Sequence, residues 1–164
     1  GSVGRQGVLL SMDTYAVRGL ADGQVRYLFA ASHMNRTSDY GVSFERGTAI
    51  EYGDRVHALI SGTASIDNRG QIVYPGDIIK QTGRMWENIL ALLDEAGMDI
   101  DADTASMNVY LRDTADYATV RKLFDERFPN RPKNILLAPV CRPGWLIEME
   151  CMAVKDHRSG FPVF

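Results

Sequence analysis

The sequence predicts an α+β fold in which two helices cover one face of a sheet. Two segments repeat their apolar residues at helical spacing, and five runs of β-prone residues surround them. The order along the chain is strand, strand, helix, strand, helix, strand, strand, which is typical of α+β domains. With 164 residues and 45% hydrophobic content, the chain is long enough to form one substantial core.

The first two strands are predicted to form a hairpin. Residues 43–52 and 55–65 are rich in β-prone residues, and Gly53 and Asp54 supply the turn between them. Upstream, residues 25–31 favour a further, weaker strand because they contain two aromatic residues in an apolar run.

Two helices are predicted from caps and apolar spacing. Asp77 can accept the free amides of a helix start, and apolar positions then recur until Gly97 ends the run. These positions are Ile78, Thr82, Met85, Trp86, Ile89, Leu93 and Ala96. A second helix is expected to begin after Asp113 or Thr114 and to stop before Pro129. Its apolar face consists of Tyr117, Val120, Phe124 and Phe128.

Three further strands, at residues 107–111, 134–140 and 145–155, complete the predicted sheet. One side of the last strand carries Ile147, Met149, Cys151 and Ala153, and the other carries Leu146, Glu148, Glu150, Met152 and Val154. If the first side packs on the helices, the second side is too apolar to face water alone. We therefore expect a closed homo-oligomer in which another subunit covers this face.

Glu148 is the strongest catalytic candidate, because a carboxylate on a covered strand either finds a partner or acts on water. Loss of solvent there would raise its pKa toward the range used in general acid/base chemistry. The alternative is a structural salt bridge. Glu150, two residues on and on the same face, is expected to have a structural role.

Composition argues against several classes of function. Eighteen basic residues against 21 acidic residues give a net charge of −3, which argues against nucleic acid as a partner. No apolar run approaches the roughly 20 residues that a bilayer requires, so no membrane partner is expected. Cys141 and Cys151 lack the spacing of a metal site, and no nucleotide-binding motif is present. We expect no metal, no cofactor and a cytoplasmic location.

The first residues have a different character from the rest. Gly1 and Ser2, without an initiator methionine, are typical of an expression-tag scar. We expect residues 1–40 to be an N-terminal extension or a bridge from a missing upstream region, and residues 41–164 to form the domain.

Four segments then follow one another in a familiar order and approximate spacing. They are residues 60–66 (ISGTASI), residues 76–89 (GDI, QT and ENI), residues 109–113 (VYLRD) and residues 147–154 (IEMECMAV). Over about residues 41–155 the chain resembles the YjgF/YER057c/UK114 (Rid, L-PSP) superfamily. The resemblance implies a chorismate-mutase-like mixed sheet and a homotrimer whose sheets form a central barrel, with clefts between subunits. Older labels for such proteins are translation initiation inhibitor and L-PSP endoribonuclease.

The resemblance also implies a cofactor-free chemistry, the hydrolysis of imines and enamines such as 2-aminoacrylate to keto acids and ammonia. Glu148 matches the family glutamate that positions water, and residues 61–63 (Ser61, Gly62 and Thr63) match the loop that lines the cleft. The family arginine that holds the substrate carboxylate is replaced by Asn134, beside Lys133. Asparagine cannot supply the charge-assisted, bidentate grip of a guanidinium, and lysine would act only as a point charge.

Arg142 is the candidate replacement for this arginine, in a turn that Pro143 and Gly144 would fix. An ordinary surface arginine in a Pro-Gly turn is an equal alternative. Cys141 is expected to line the cleft rather than to act as a nucleophile, since no histidine lies near it in sequence. Arg46 and Tyr110 are weaker candidates for the cleft wall.

Two other functions stay open. Cys141 ahead of Glu148, together with the segment at residues 61–66, is similar to the C-terminal half of chorismatases, which hydrolyse chorismate to pyruvate and a ring product. The absent arginine instead favours a non-catalytic ligand-binding or regulatory module. In each case the expected partner is a small carboxylate-bearing ligand.

Overall fold

Six strands form one mixed sheet in the computed structural model, which describes residues 7, 12 and 14–163. The strands are β1 (Val25–Leu28), β2 (Gly47–Glu51), β3 (Arg55–Ala64), β4 (Thr104–Leu111), β5 (Lys133–Leu137) and β6 (Ile147–Asp156). The helices are α1 (Ile78–Glu95), the short α2 (Ile100–Asp103) and α3 (Tyr117–Arg127), with 3₁₀ turns at Thr37–Tyr40 and Thr114–Asp116. Across the sheet the order is β1-β2-β3-β6-β4-β5, and only β4 and β5 are parallel, because α3 crosses between them.

The predicted α+β order and both helices are confirmed. The Asp77 carboxylate accepts the Lys80 amide at 3.0 Å and so caps α1. α3 begins at Tyr117, later than predicted, because Asp113 caps the preceding 3₁₀ turn instead. The weakly predicted first strand is confirmed as β1, whereas the sequence did not indicate α2.

Three strands, β1, β2 and β5, are clearly shorter than predicted, and local contacts explain the limits of β2 and β5. β2 starts at Gly47 rather than at residue 43, because the chain before it runs beside residues 35–40, where Arg46 binds the Asn35 carbonyl at 2.7 Å. β5 ends at Leu137 rather than at Val140, whose carbonyl is bound by Arg112.

The core lies between the sheet and the helices. The predicted inward side of β6 is buried, with Ile147, Met149 and Ala153 fully covered. α1 contacts β3, β6 and α3, and its Trp86 ring lies 5.1 Å from Phe124 of α3. The two long helices therefore pack on one face, as predicted.

The opposite face of the sheet, which we call the open face, has no covering element in the described part of the chain. Leu59 of β3 and Met152 of β6 pair across it and are only partly buried. Tyr27 is 56% exposed and Leu136 is 45% exposed. The exposed apolar side chains of this face are consistent with the expected homo-oligomer, which stays a prediction.

The predicted N-terminal extension contributes to the sheet through β1, which pairs with β2. Its proposed role as a bridge from an upstream region stays a prediction, and the suspected tag residues Gly1 and Ser2 lie outside the described residues. Within the described residues, none of the helices has the length and apolarity to cross a bilayer.

Candidate functional site

Glu148 lies on the open face, in the middle of the sheet. Its neighbours in register are Ala64 on β3 and Tyr110 on β4. A Cβ atom at position 62 would collide with the Glu148 carboxylate, so this close approach requires Gly62. The structure thereby places Glu148 against the loop that the sequence analysis assigned to the cleft.

The Glu148 carboxyl group has an electrostatic environment that favours its neutral form. It forms no hydrogen bond or ion pair with the described residues. Burial raises its pKa above the ordinary value, and the nearby negative charge of Glu150 raises it further. A carboxyl group of this kind can donate a proton at a pH where an ordinary glutamate cannot.

Glu150, unlike Glu148, has hydrogen-bond partners, because two donors reach one of its carboxylate oxygens. The Tyr110 hydroxyl donates to Oε1 at 2.7 Å, and the Asn108 amide donates to the same atom at 2.8 Å. Asn134 donates in turn to the Asn108 Oδ1 at 2.9 Å. Burial, followed by the bond to Glu150, raises the pKa of Tyr110 to about 12, so the phenol keeps its proton. The two donors thus hold the Glu150 carboxyl group in position on the open face.

Position 134 therefore belongs to a polar network and not to a carboxylate clamp in this chain. Asn134 lies in register with Asn108, at the outer end of the row that leads to Glu150. The sequence analysis did not identify Asn108, because an asparagine in an alternating strand gives no separate signal.

The loop at residues 61–63 is a bulge in β3, since the register with β6 shifts between Ile60 and Thr63. The Ser61 amide donates to the Arg46 carbonyl at 3.0 Å, and the Ser61 hydroxyl donates to the Glu45 carbonyl at 2.6 Å. The Thr63 hydroxyl donates to the Ser61 carbonyl at 2.9 Å. The Ser61 amide is thus already occupied and is not free for an oxyanion.

A groove of about 470 Å³ runs along the open face next to this bulge. Its walls include Ser61 of β3, Asn108 of β4, and Glu150 and Met152 of β6. The groove brings the bulge and the Glu150 network together on one surface.

The turn between β5 and β6 is held by two side chains from other elements. Arg112 donates to the Trp145 and Arg142 carbonyls, each at 2.7 Å, and also to the Val140 carbonyl. Gln81 of α1 donates to the Gly144 carbonyl at 2.9 Å and accepts the Leu146 amide at 2.9 Å. Arg112 and Gln81 both belong to the motifs that carry the family resemblance, but the spacing of apolar residues did not predict a role for either side chain.

The two candidate arginines lie near each other. Arg142 donates to the Gly70 carbonyl at 2.8 Å, and its guanidinium carbon lies 4.9 Å from the Trp145 ring and 5.0 Å from the Tyr40 ring. Arg46 is 5% exposed and lies 6.0 Å from the same Tyr40 ring. The sequence analysis did not identify Tyr40, which lies in the weakly assigned N-terminal segment.

Two other candidates are placed differently. Lys133 lies on the helix side of the sheet, where its ammonium group reaches the Phe128 carbonyl at 2.8 Å and Asp125 at 3.0 Å. It therefore does not face Glu148, because neighbouring residues of a strand point to opposite faces. Cys141 is exposed at the start of the turn. The described residues contain no cluster of His, Cys, Asp and Glu that could hold a metal ion.

Comparisons with known proteins agree with this architecture. Residues 46–155 match the family model described as Endoribonuclease L-PSP. A RutC family protein of Pyrococcus abyssi is 34% identical over 110 residues, which are 66% of this chain and 84% of that protein. The 3-aminoacrylate deaminase RutC of Acinetobacter baylyi is 31% identical over 96 residues, which are 57% of this chain and 75% of that protein.

A solved chorismatase structure has the same fold, with a TM-score of 0.70 and 23% identity over 80% of this chain and 44% of that one. At this identity the likeness concerns the fold alone. The family match, in contrast, spans more than half of the sequence, from Arg46 to Lys155. The chain therefore belongs to the Endoribonuclease L-PSP family.

Proposed function

We propose that the protein is a cofactor-free hydrolase that adds water to an imine, an enamine or a related unsaturated carboxylate, with Glu148 as the general acid and base. The observation that carries this proposal is the Glu148 carboxyl group itself. It is half-buried on the open face, forms no hydrogen bond with the described residues, and has a raised pKa. A carboxyl group in that position is biased toward its protonated form and has no hydrogen-bond partner among the described residues.

The proposed reaction of an enamine proceeds in two balanced steps. Glu148 donates its proton to the terminal carbon, which converts the enamine into an iminium ion. The Glu148 carboxylate then accepts a proton from the water that adds to the iminium carbon, and loss of ammonia leaves the keto acid. The 31% identity to a 3-aminoacrylate deaminase supports this class of substrate.

A second candidate is the hydrolysis of an enol ether, as in chorismatases. The neutral amide at Asn134 favours it, because an enzyme with the usual imine substrate would be expected to keep the family arginine. In this reaction Glu148 would donate its proton to the enol-ether methylene carbon. Water would then add to the resulting cation, and the hemiketal would break down to pyruvate and an alcohol.

We further propose that the working form is a homotrimer with a site at each subunit boundary. The open face supports this proposal because it combines the Glu148 and Glu150 carboxylates with partly exposed Leu59 and Met152. A neighbouring subunit would bury those apolar groups and close the groove over Glu150.

An assay pair tests the chemistry. Keto-acid release from 2-aminoacrylate generated in situ is compared with pyruvate release from chorismate. Glu148→Gln should lower whichever rate is found by about 100-fold or more, because a general acid contributes on that order. Asp94→Asn, an exposed change on α1, is the matched control and should leave the rate unchanged.

The absence of turnover with both substrates would overturn the two named reactions. If keto acids or aromatic carboxylates still bind, that outcome would support the non-catalytic ligand-binding module. A rate that Glu148→Gln leaves unchanged would overturn the role of Glu148.

A further inference from the structure

Two guanidinium groups meet beside the turn at residues 140–146, and their neighbours form a compact polar group. We call this group the arginine cluster; it consists of Arg46, Arg142, Tyr40, Asn35 and the Gly70 carbonyl. Arg142 and Arg46 approach the same Tyr40 ring, at 5.0 Å and 6.0 Å. A Cβ atom at position 70 would lie 2.9 Å from the Asn35 side-chain amide, so Gly70 packs closely against Asn35. Gly70 binds Arg142 through its carbonyl and Asn35 binds Arg46, so this contact links the two arginines.

The hydrogen-bond acceptors in the cluster are neutral. Arg46 donates to the Asn35 carbonyl from Nε at 2.9 Å and from Nη2 at 2.7 Å, and to the Asn35 side chain at 3.2 Å. Arg142 donates to the Gly70 carbonyl. Neither guanidinium forms an ion pair with a carboxylate of the described residues. The cluster thus holds two positive charges without a paired anion.

Arg46 is buried, and the positive charge of Arg142 lies near it. Burial lowers the pKa of Arg46, and the charge of Arg142 lowers it further, whereas Tyr40 and Asp39 partly oppose this. An arginine keeps its charge in proteins even so. A bound anion would offset the repulsion and the loss of solvent together.

The cluster is also held in place before any ligand arrives. The Arg142 guanidinium carbon lies 5.0 Å from the Tyr40 ring and 4.9 Å from the Trp145 ring, within the range of cation–π contacts. Arg112 binds the backbone carbonyls of Arg142 and Trp145, so the turn does not depend on the Arg142 side chain. The planar edge of a guanidinium is the part that binds a carboxylate through two hydrogen bonds.

We infer that the arginine cluster is the binding site for the carboxylate of a small organic acid, and that it takes the place of the arginine that the family resemblance expects at position 134. The identification of this acid as the substrate rests on the proposed function. Binding itself requires no turnover and can be measured separately.

Calorimetric titration of the full chain with sodium benzoate tests the inference, with benzamide as the neutral probe of the same shape. Benzoate should bind and benzamide should not. Arg142→Ala should weaken benzoate binding by about 10-fold or more, because a hydrogen-bonded charge contributes on that order. Arg142→Lys should restore part of the affinity, since it returns the charge without the planar edge. Arg158→Ala, an exposed arginine on the C-terminal segment, is the control.

The benzoate affinity of Arg46→Gln tests the buried arginine of the cluster independently. Circular dichroism checks that each variant folds. Equal binding of benzoate and benzamide would overturn the inference, as would unchanged benzoate affinity in Arg142→Ala. The absence of benzoate binding at millimolar concentration to the unaltered protein would overturn it as well. Benzoate binding that persists in Glu148→Gln separates this site from the catalytic proposal, because only turnover depends on Glu148.

Discussion

Two glutamates on the same strand face show how the surroundings decide the behaviour of a side chain. Glu150 accepts hydrogen bonds from Tyr110 and Asn108, which hold its carboxyl group in place. Glu148 lies two residues away without such donors, and burial and the charge of Glu150 raise its pKa. The same strand face therefore carries one carboxyl group that is fixed by two donors and one that its surroundings bias toward the neutral form.

Glu150→Gln should lower the pKa of Glu148 toward the ordinary value. Glutamine keeps an oxygen that can accept the bonds from Asn108 and Tyr110, but it removes the negative charge that disfavours ionisation of Glu148. Glu148 would then lose its proton at a lower pH, and any rate that requires the protonated form would decline at a lower pH too. NMR titration of the carboxyl carbons in glutamate-labelled protein measures the change, and an unaltered Glu148 titration would contradict it.

At the scale of elements, the turn before β6 matters most for the site. Its carbonyl groups are bound from β4 through Arg112 and from α1 through Gln81, so three elements meet at one short segment. Because Trp145 is buried and donates its indole N–H to the Ser65 carbonyl at 3.0 Å, the turn is also anchored in the core. The position of Arg142 is a consequence of these contacts.

Arg112→Ala should lower the free energy of unfolding by about 3 kcal/mol, because it leaves the carbonyl groups of the turn without a charged donor. Urea denaturation measures the loss. Arg121→Ala is the matched control: its partner Asp125 lies one helical turn away at the surface, so the cost should be below about 0.5 kcal/mol. Equal losses in both variants would show that Arg112 has no special role.

At the scale of the whole molecule, the open face is the surface that no element of the described residues covers. Its centre is partly apolar and carries the Glu148 region, and the groove of about 470 Å³ runs along it. A chain that kept this face in water would expose Leu59, Met152 and Leu136 at once. The proposed association with other copies of the chain would remove that exposure.

Light scattering coupled to size exclusion should therefore give about three times the 18.3 kDa of one chain. Met152→Glu should shift the protein to smaller species, because it places a charge in the covered face. Lys122→Glu reverses a charge on the exposed side of α3 and should leave the mass unchanged. A single monomeric species of the unaltered protein at micromolar concentration would contradict the trimer.

Much of this fold was predictable because its signals are local. The Asp77 cap, the apolar spacing of α1 and the alternation along β6 depend on neighbours within a few residues, and each is confirmed. The start of α3 was misplaced because Asp113 caps a 3₁₀ turn instead, and a capping residue does not reveal which kind of turn follows. Lys133 was a candidate for the ligand site because it neighbours Asn134 in sequence. Side chains alternate between the two faces of β5, however, and Lys133 lies on the helix side, where it pairs with Asp125.

The sequence by itself determined the α+β class and the family, because periodicity, caps and ordered motifs are written along the chain. It also predicted Glu148 as the catalytic carboxylate, and that role stays a prediction. Only the tertiary structure decided which charges meet. Arg46 and Arg142 are 96 positions apart, and they meet because the N-terminal segment brings Tyr40 and Asn35 against the turn. The pairing of Glu150 with Asn108 likewise depends on the register between β4 and β6, which no spacing within one strand specifies.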